Sequence, residues 1–141
     1  MLISKIRAKS LLGITLASVS AIAFQSPINA QVKNVSKELV EAADLVNQYL
    51  PMNVDPTVRW DSTHAGPGKL MNYNYTLLQL SAAQIDGNVL NQQFRPFVNN
   101  LLCNNSGSQF FRDNDVALNV NIYDNQRSLV SRIKVSPSEC R

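Results

Sequence analysis

His64 is the only histidine of the chain, so any catalytic scheme that needs an imidazole base must use it. Asp61, Ser62 and Thr63 directly precede it, and a serine activated by a histidine that a carboxylate orients is the arrangement of a hydrolase. That arrangement requires converging side chains, whereas adjacent residues of a strand point to opposite faces. We therefore interpret His64 as a surface residue beside a turn, expect no catalytic residue, and favour a protein without enzymatic activity.

Two other segments have residue types that bind ions. Asp113 and Asp115 are close together, but they lack the glycine and the distant glutamate of a calcium loop. Gly66-Pro67-Gly68 is followed neither by the Lys-Ser/Thr pair of a phosphate-binding loop nor by the start of a helix. We interpret both segments as turns or polar loops, and we expect no metal and no cofactor.

Aromatic residues are the best binding candidates. Trp60, Tyr73 and Tyr75 lie on segments that we expect to pair as strands, and aromatic side chains often anchor interfaces. The simpler alternative is that they fill a core or form cross-strand pairs. With His64, these three residues make up the candidate binding patch. Asparagines on the polar side of the predicted strands could also bind carbohydrate or peptide, although a solvated face explains them more simply.

Cys103 and Cys140 are the only cysteines. In an oxidising compartment, an even pair indicates a disulfide. A redox pair is usually a close CxxC motif, and a zinc site would have only one histidine to add to these thiols. We therefore favour a structural disulfide between Cys103 and Cys140.

The amino-terminal segment has the features of an export signal. Lys5, Arg7 and Lys9 are followed by an uncharged, largely apolar run over residues 11–24, and Ala30 ends a small-residue exit. This run is shorter than the about 20 residues that span a bilayer as a helix. We predict a signal peptide over residues 1–30 that is cleaved near Ala30, a mature protein without a membrane span, and a periplasmic or secreted location.

The charge of the mature chain excludes one class of partner. The chain has thirteen basic and ten acidic residues, and three of the basic residues but none of the acidic ones lie before residue 31. A neutral domain lacks the positive field that drives binding to a phosphate backbone, so we expect no nucleic acid partner. Residues 31–141 have the length of a single domain.

Apolar spacing predicts two helices. The first begins at Ser36, which can cap it, and ends before Pro51. The second is opened by Asp86 or Ser81, and Pro96 should kink or divide it.

Alternation of apolar and polar residues predicts two hairpins, over residues 57–77 and residues 116–135. The first has Pro67 and Gly68 at the central positions of a type II turn. The order helix, hairpin, helix, hairpin indicates an α+β domain with a four-stranded, mostly antiparallel sheet and helices covering one face. The order of the strands in the sheet stays open.

The run from Arg59 to Gly68, with Tyr73-Asn74-Tyr75-Thr76-Leu77, Ile122-Tyr123-Asp124 and the two cysteines, resembles small exported bacterial proteins of uncharacterised function. The resemblance implies a bacterial, single periplasmic domain with one disulfide, and it supplies no catalytic residue.

These observations favour a non-enzymatic exported domain that binds another envelope or secreted protein, as an inhibitor, an immunity protein or an assembly factor. The alternative is a small envelope hydrolase or a carrier of a small ligand. That alternative requires a concave pocket in which His64 or a carboxylate meets apolar walls.

Overall fold

The computed structural model describes residues 26–140, and most of the predicted signal peptide lies outside the described residues. Lys33–Arg141 forms one compact unit. The helices are α1 (Ser26–Asn47), α2 (Gly87–Cys103) and the short α3 (Gln109–Asp113). The strands are β1 (Met52–Asn53), β2 (Val58–Gly66), β3 (Leu70–Leu77), β4 (Ala117–Tyr123) and β5 (Leu129–Val135).

Helix α1 begins ten positions before the predicted start at Ser36, so that prediction is wrong. Pro27 lies in the first turn of the helix, where the missing N–H has no intrahelical partner to lose. The helix ends at Asn47, before Pro51 as expected. Its buried stripe repeats every four residues, and its members are Val35, Leu39 and Ala43.

Of the two caps that the sequence offers, Asp86 is the one that opens helix α2. The Asp86 carboxylate accepts hydrogen bonds from the backbone N–H groups of Asn88 at 2.8 Å and Val89 at 3.2 Å, which satisfies two of the first-turn donors. Pro96 lies inside the helix and does not divide it. Helix α2 therefore runs unbroken from the cap to Cys103.

The sheet has five strands in the order β1-β2-β3-β4-β5, so the prediction of four strands is wrong. Strand β1 was missed because two residues are too short to show an alternating pattern. Three of the pairings are antiparallel, but β3 and β4 are parallel. The parallel pairing follows from the crossover through α2, because a chain that returns through a helix can place the next strand in the same direction.

The predicted turn between β2 and β3 is confirmed by its glycines. Gly68 has a φ of +74°, a conformation that only glycine adopts at no steric cost. A Cβ at Gly66 would lie 2.7 Å from the side-chain nitrogen of Asn72. The backbone conformation therefore favours glycine at position 68, and a side chain at position 66 would have to displace that of Asn72.

One core joins α1 and α2 to the apolar side of the sheet, as the alternation predicted. Its largest fully buried members are Leu39, Met71, Leu102, Leu118 and Ile133. The disulfide is present between Cys103 and Cys140, whose Cα atoms are 5.1 Å apart, and it ties the end of α2 to the end of the chain. Among residues 26–140, no helix is long and apolar enough to cross a membrane.

The opposite side of the sheet is polar. It carries the asparagines of β3 and β4, and we call it the amide face. Its four asparagines are Asn72, Asn74, Asn119 and Asn121.

Candidate binding face

The structure separates the four residues of the candidate binding patch. The Trp60 ring centroid lies 5.5 Å from that of Tyr73 and 5.8 Å from that of Tyr75, all on the core side of the sheet. Trp60 Nε1 donates to Thr63 Oγ1 at 3.1 Å, and burial raises the pKa of both tyrosines to about 12. His64 is exposed and lies on the amide face. The aromatic cluster therefore supports the core, and its binding role stays a prediction.

A β-bulge at Asp61 changes which side chains share a face. Trp60 pairs with Tyr75 and Ser62 pairs with Asn74, so β2 has one extra residue at position 61. As a result, Asp61 and Ser62 both lie on the amide face, together with His64. The expectation that adjacent residues point to opposite faces is wrong at this position, and the bulge is the reason.

The bulge does not assemble a catalytic group. The side-chain amide of Asn74 lies between the two candidate residues, since its nitrogen is 2.9 Å from Ser62 Oγ and 3.3 Å from His64 Nδ1. Within residues 26–140, the structure shows no hydrogen bond between the serine and the histidine. The contact through which a histidine would activate the serine is therefore missing.

The carboxylate of Asp61 is engaged elsewhere. One oxygen accepts from Thr76 Oγ1 at 2.5 Å, and the other pairs with Arg59 Nε at 2.5 Å. Asp61 thus neutralises one of the arginines of the amide face and does not orient His64.

Side-chain amides form a hydrogen-bonded row across four strands. Arg132 Nε donates to Asn121 Oδ1 at 3.1 Å, and Asn121 Nδ2 donates to Asn74 Oδ1 at 2.9 Å. Asn74 then contacts Ser62 and His64 on β2. Every amide in the row points its N–H group away from Arg132, so the row has one direction from β5 to β2.

A second, shorter row lies beside the first. Asn119 Nδ2 donates to Asn72 Oδ1 at 2.7 Å and to Asn121 Oδ1 at 3.1 Å. The Oδ1 atom of Asn119 is buried and has no hydrogen-bond partner within the part of the chain that the structure describes. Such an unsatisfied acceptor is uncommon and costs free energy, so the amide face has spare hydrogen-bonding capacity.

The asparagines are more buried than a solvated face would require. Asn119 and Asn121 are each 6% exposed and Asn72 is 8% exposed. Longer neighbours on the flanking strands shield them, notably Arg132 and Lys134 on β5, which are both exposed. The expectation of a plainly solvated face is therefore wrong for these residues, which form a shielded floor.

A cleft of about 400 Å³ opens at one end of the amide face. Arg127 borders it from the turn between β4 and β5 and has a φ of +68°, a strained conformation for a residue with a side chain. The cleft is lined by Pro51, Arg59, Asp61, Ser62, Asn74, Thr76, Tyr123 and Arg127. Its two arginines outnumber its one carboxylate.

Side chains cover part of the sheet margin on β2 and on β5. Next to β1, Asn47 occupies the β2 edge: its nitrogen donates to Thr63 O at 2.6 Å and its oxygen accepts from Thr63 N at 2.8 Å. At the other edge, Asn91 of α2 donates to the carbonyl of Arg132 at 2.9 Å. At these points on β2 and β5, side chains take positions that an added strand would use, whereas the two residues of β1 are exposed.

The acidic pair shows no further ligands. Asp113 ends α3 and Asp115 follows it with a φ of 56°. Among the residues whose placement is described, no three histidine, cysteine or acidic side chains come together as a metal group would.

No protein-family model and no curated protein matches the chain. Solved structures do match its fold. A Pseudomonas aeruginosa protein assigned as secreted has a TM-score of 0.68 at 14% identity, covering 79% of this chain and 96% of its own. A type II secretion system pilotin from Vibrio cholerae has a TM-score of 0.59 at 12% identity, covering 79% of this chain and 97% of its own. A type 2 secretion system pilotin from Vibrio vulnificus has a TM-score of 0.64 at 9% identity, covering 80% of this chain and 97% of its own. This chain has the fold of these proteins.

Proposed function

We propose that the chain is an exported, non-enzymatic domain that binds a partner protein during assembly of the bacterial cell envelope. The observation that carries the proposal is the shared fold, which extends over 96–97% of a protein assigned as secreted and of two secretion-system pilotins. Fold alone does not fix function, because one fold can host many activities. The surface of the described residues must therefore fit the proposed role.

The chemistry around His64 fits a binding domain better than a hydrolase. Catalysis by Ser62 and His64 would need a direct hydrogen bond between them and a carboxylate behind the histidine. Asn74 stands between the two residues, and Asp61 is held by Arg59 and Thr76. These contacts build a polar surface that suits binding better than hydrolysis.

The carrier alternative requires a pocket with apolar walls. The cleft beside Asp61 is open to solvent and mostly polar, with Pro51 and the Tyr123 ring as its main apolar parts. A shallow polar cleft on a flat sheet face suits a protein surface better than it suits an enclosed small molecule.

The disulfide of this chain supports export. Cys103 and Cys140 are bonded, and a structural disulfide persists in the periplasm or outside the cell but is rare in the cytosol. A leader of the type in residues 1–30 would deliver the chain to such a compartment.

The test is affinity capture from the envelope of the source bacterium. The full chain with a carboxyl-terminal tag is expressed at native level, and envelopes are treated with a cleavable crosslinker. Captured proteins are then quantified by mass spectrometry of isotope-labelled peptides. We expect one envelope protein to be enriched at least tenfold over a tagged exported control domain.

The matched control is a tagged version that lacks residues 1–30, is retained in the cytosol and is captured in the same way. The partner should be absent from that sample. Enrichment of no envelope protein by the exported chain, or equal enrichment by the cytosolic version, would contradict the proposal.

A further inference from the structure

We propose that the amide face is the docking surface for an acidic peptide segment of the partner protein. This inference rests on the proposed function and adds the chemistry of the contact. It follows from the charge, the shape and the hydrogen bonding of the face.

The amide face carries cations that have no acidic partner in the described part of the chain. Arg132 and Lys134 on β5 project from the amide face, and neither forms an ion pair with any described residue. Arg59 lies on the same face, and Asp61 balances only that charge. The face therefore has a net positive charge, although the mature chain is neutral.

The opposite charge lies on another surface. Between Asn34 and Asn47, α1 carries exposed Glu38, Glu41 and Asp44 against the single cation Lys37, which pairs with Glu41 at 3.5 Å. This segregation gives one binding surface a positive potential, which attracts an acidic partner and repels a basic one. An acidic segment is therefore the complementary occupant.

The amide face is lower in its middle than along β2 and β5. Strands β2 and β5 are separated by three strand spacings, or about 14 Å. Between them, the buried asparagines form a low floor, with Arg132 and Lys134 standing on one side and His64 on the other. The result is a shallow trough that is wide enough for a peptide segment to lie on the asparagine side chains, between the two β5 cations and His64 on β2.

Hydrogen bonding is the third argument. The bond from Arg132 Nε to Asn121 Oδ1 holds the guanidinium over the floor, so less side-chain freedom is lost when a carboxylate binds its remaining N–H groups. The unpartnered Oδ1 of Asn119 lies in the same floor and lacks a donor.

The test uses a peptide of ten glutamates as the probe and a peptide of ten glutamines as its uncharged match. The ¹⁵N-labelled, disulfide-bonded domain is titrated with each peptide, and backbone and asparagine side-chain resonances are followed by NMR. We expect the acidic peptide to shift the side-chain amides of Asn72, Asn74, Asn119 and Asn121, and the glutamine peptide to leave them in place.

Three variants that each remove one positive charge locate the contact. Lys134→Gln and Arg132→Gln remove charges from the amide face, whereas Lys37→Gln removes one from α1. We expect each of the first two to weaken acidic-peptide binding about threefold, within the range for single exposed ion pairs, and the third to leave it unchanged. The side chain of Lys134 is exposed, so K134Q gives the answer even if R132Q disturbs the amide row.

Three results would overturn the inference: shifts that map to α1, equal weakening by K37Q, or equal binding of the glutamine peptide. Vesicles of phosphatidylglycerol form a further arm, and binding to them without a response to the acidic peptide would assign the face to lipid instead. If envelope capture persists undiminished in the R132Q/K134Q variant, the proposed function stands and this inference fails. If the native chain captures nothing, the proposed function itself fails.

Discussion

Removing the disulfide should cost the domain much of its stability. Cys103 and Cys140 are 37 positions apart, and closing a loop of that length removes denatured-state entropy worth about 4 kcal/mol in the chain-entropy model. Small domains have only about 5–15 kcal/mol in total. The C103A/C140A variant and the reduced native protein should therefore both lie close to the unfolding threshold at 37 °C.

Urea unfolding followed by circular dichroism measures the effect, with and without a phosphine reductant. We expect reduction to lower the free energy of unfolding of the native protein by about 3–4 kcal/mol. The reductant should not change C103A/C140A, which is the internal control. A loss below about 1 kcal/mol in both comparisons would refute the argument that the covalent link, and not packing alone, stabilises this fold.

Two further changes test the core and the buried carboxylate. Leu39→Ala, at a fully buried site, should lower the free energy of unfolding by about 2–5 kcal/mol, whereas Val40→Ala, next to it and 48% exposed, should change it by less than about 0.5 kcal/mol in the same urea experiment. Hydrogen bonds from backbone N–H groups, of which that of Ser128 has the largest effect, hold the pKa of Asp124 below its ordinary value. The resulting stability is present above the unfolded-state pKa of about 3.9 and is lost as the pH falls through the lower folded-state pKa. Between about pH 4 and pH 2, the Tm of the native protein should therefore fall further than the Tm of Asp124→Asn. Equal falls in Tm would contradict this role of Asp124.

Local patterns predicted the parts of the fold that depend on local chemistry. The cap at Asp86, the turn at Gly68 and the apolar side of each long strand follow from residue types a few positions apart. Strand β1 and the parallel pairing of β3 with β4 could not be predicted in this way. The first is two residues long, and the second depends on where α2 places the chain.

The candidate site was predictable only in part. Asparagines two positions apart on β3 and again on β4 were visible in the sequence, but their contact depends on the parallel register that pairs Asn72 with Asn119 and Asn74 with Asn121. The bulge at Asp61 also has no clear local signal, although it decides which neighbours of His64 share its face. The resemblance to exported bacterial proteins agreed with the fold comparison but said nothing about this surface.

Site-specific photo-crosslinking in the intact bacterium tests directly whether a partner docks on the amide face. Benzoylphenylalanine replaces Tyr123, which lines the cleft on that face, or Tyr49, which is 74% exposed beyond the end of α1. Both changes keep the phenyl ring and put a benzoyl group in place of the tyrosine hydroxyl. We predict a discrete adduct with one envelope protein from position 123 and none from position 49. An adduct from position 49 alone, or from neither position, would show that the amide face is not the docking surface.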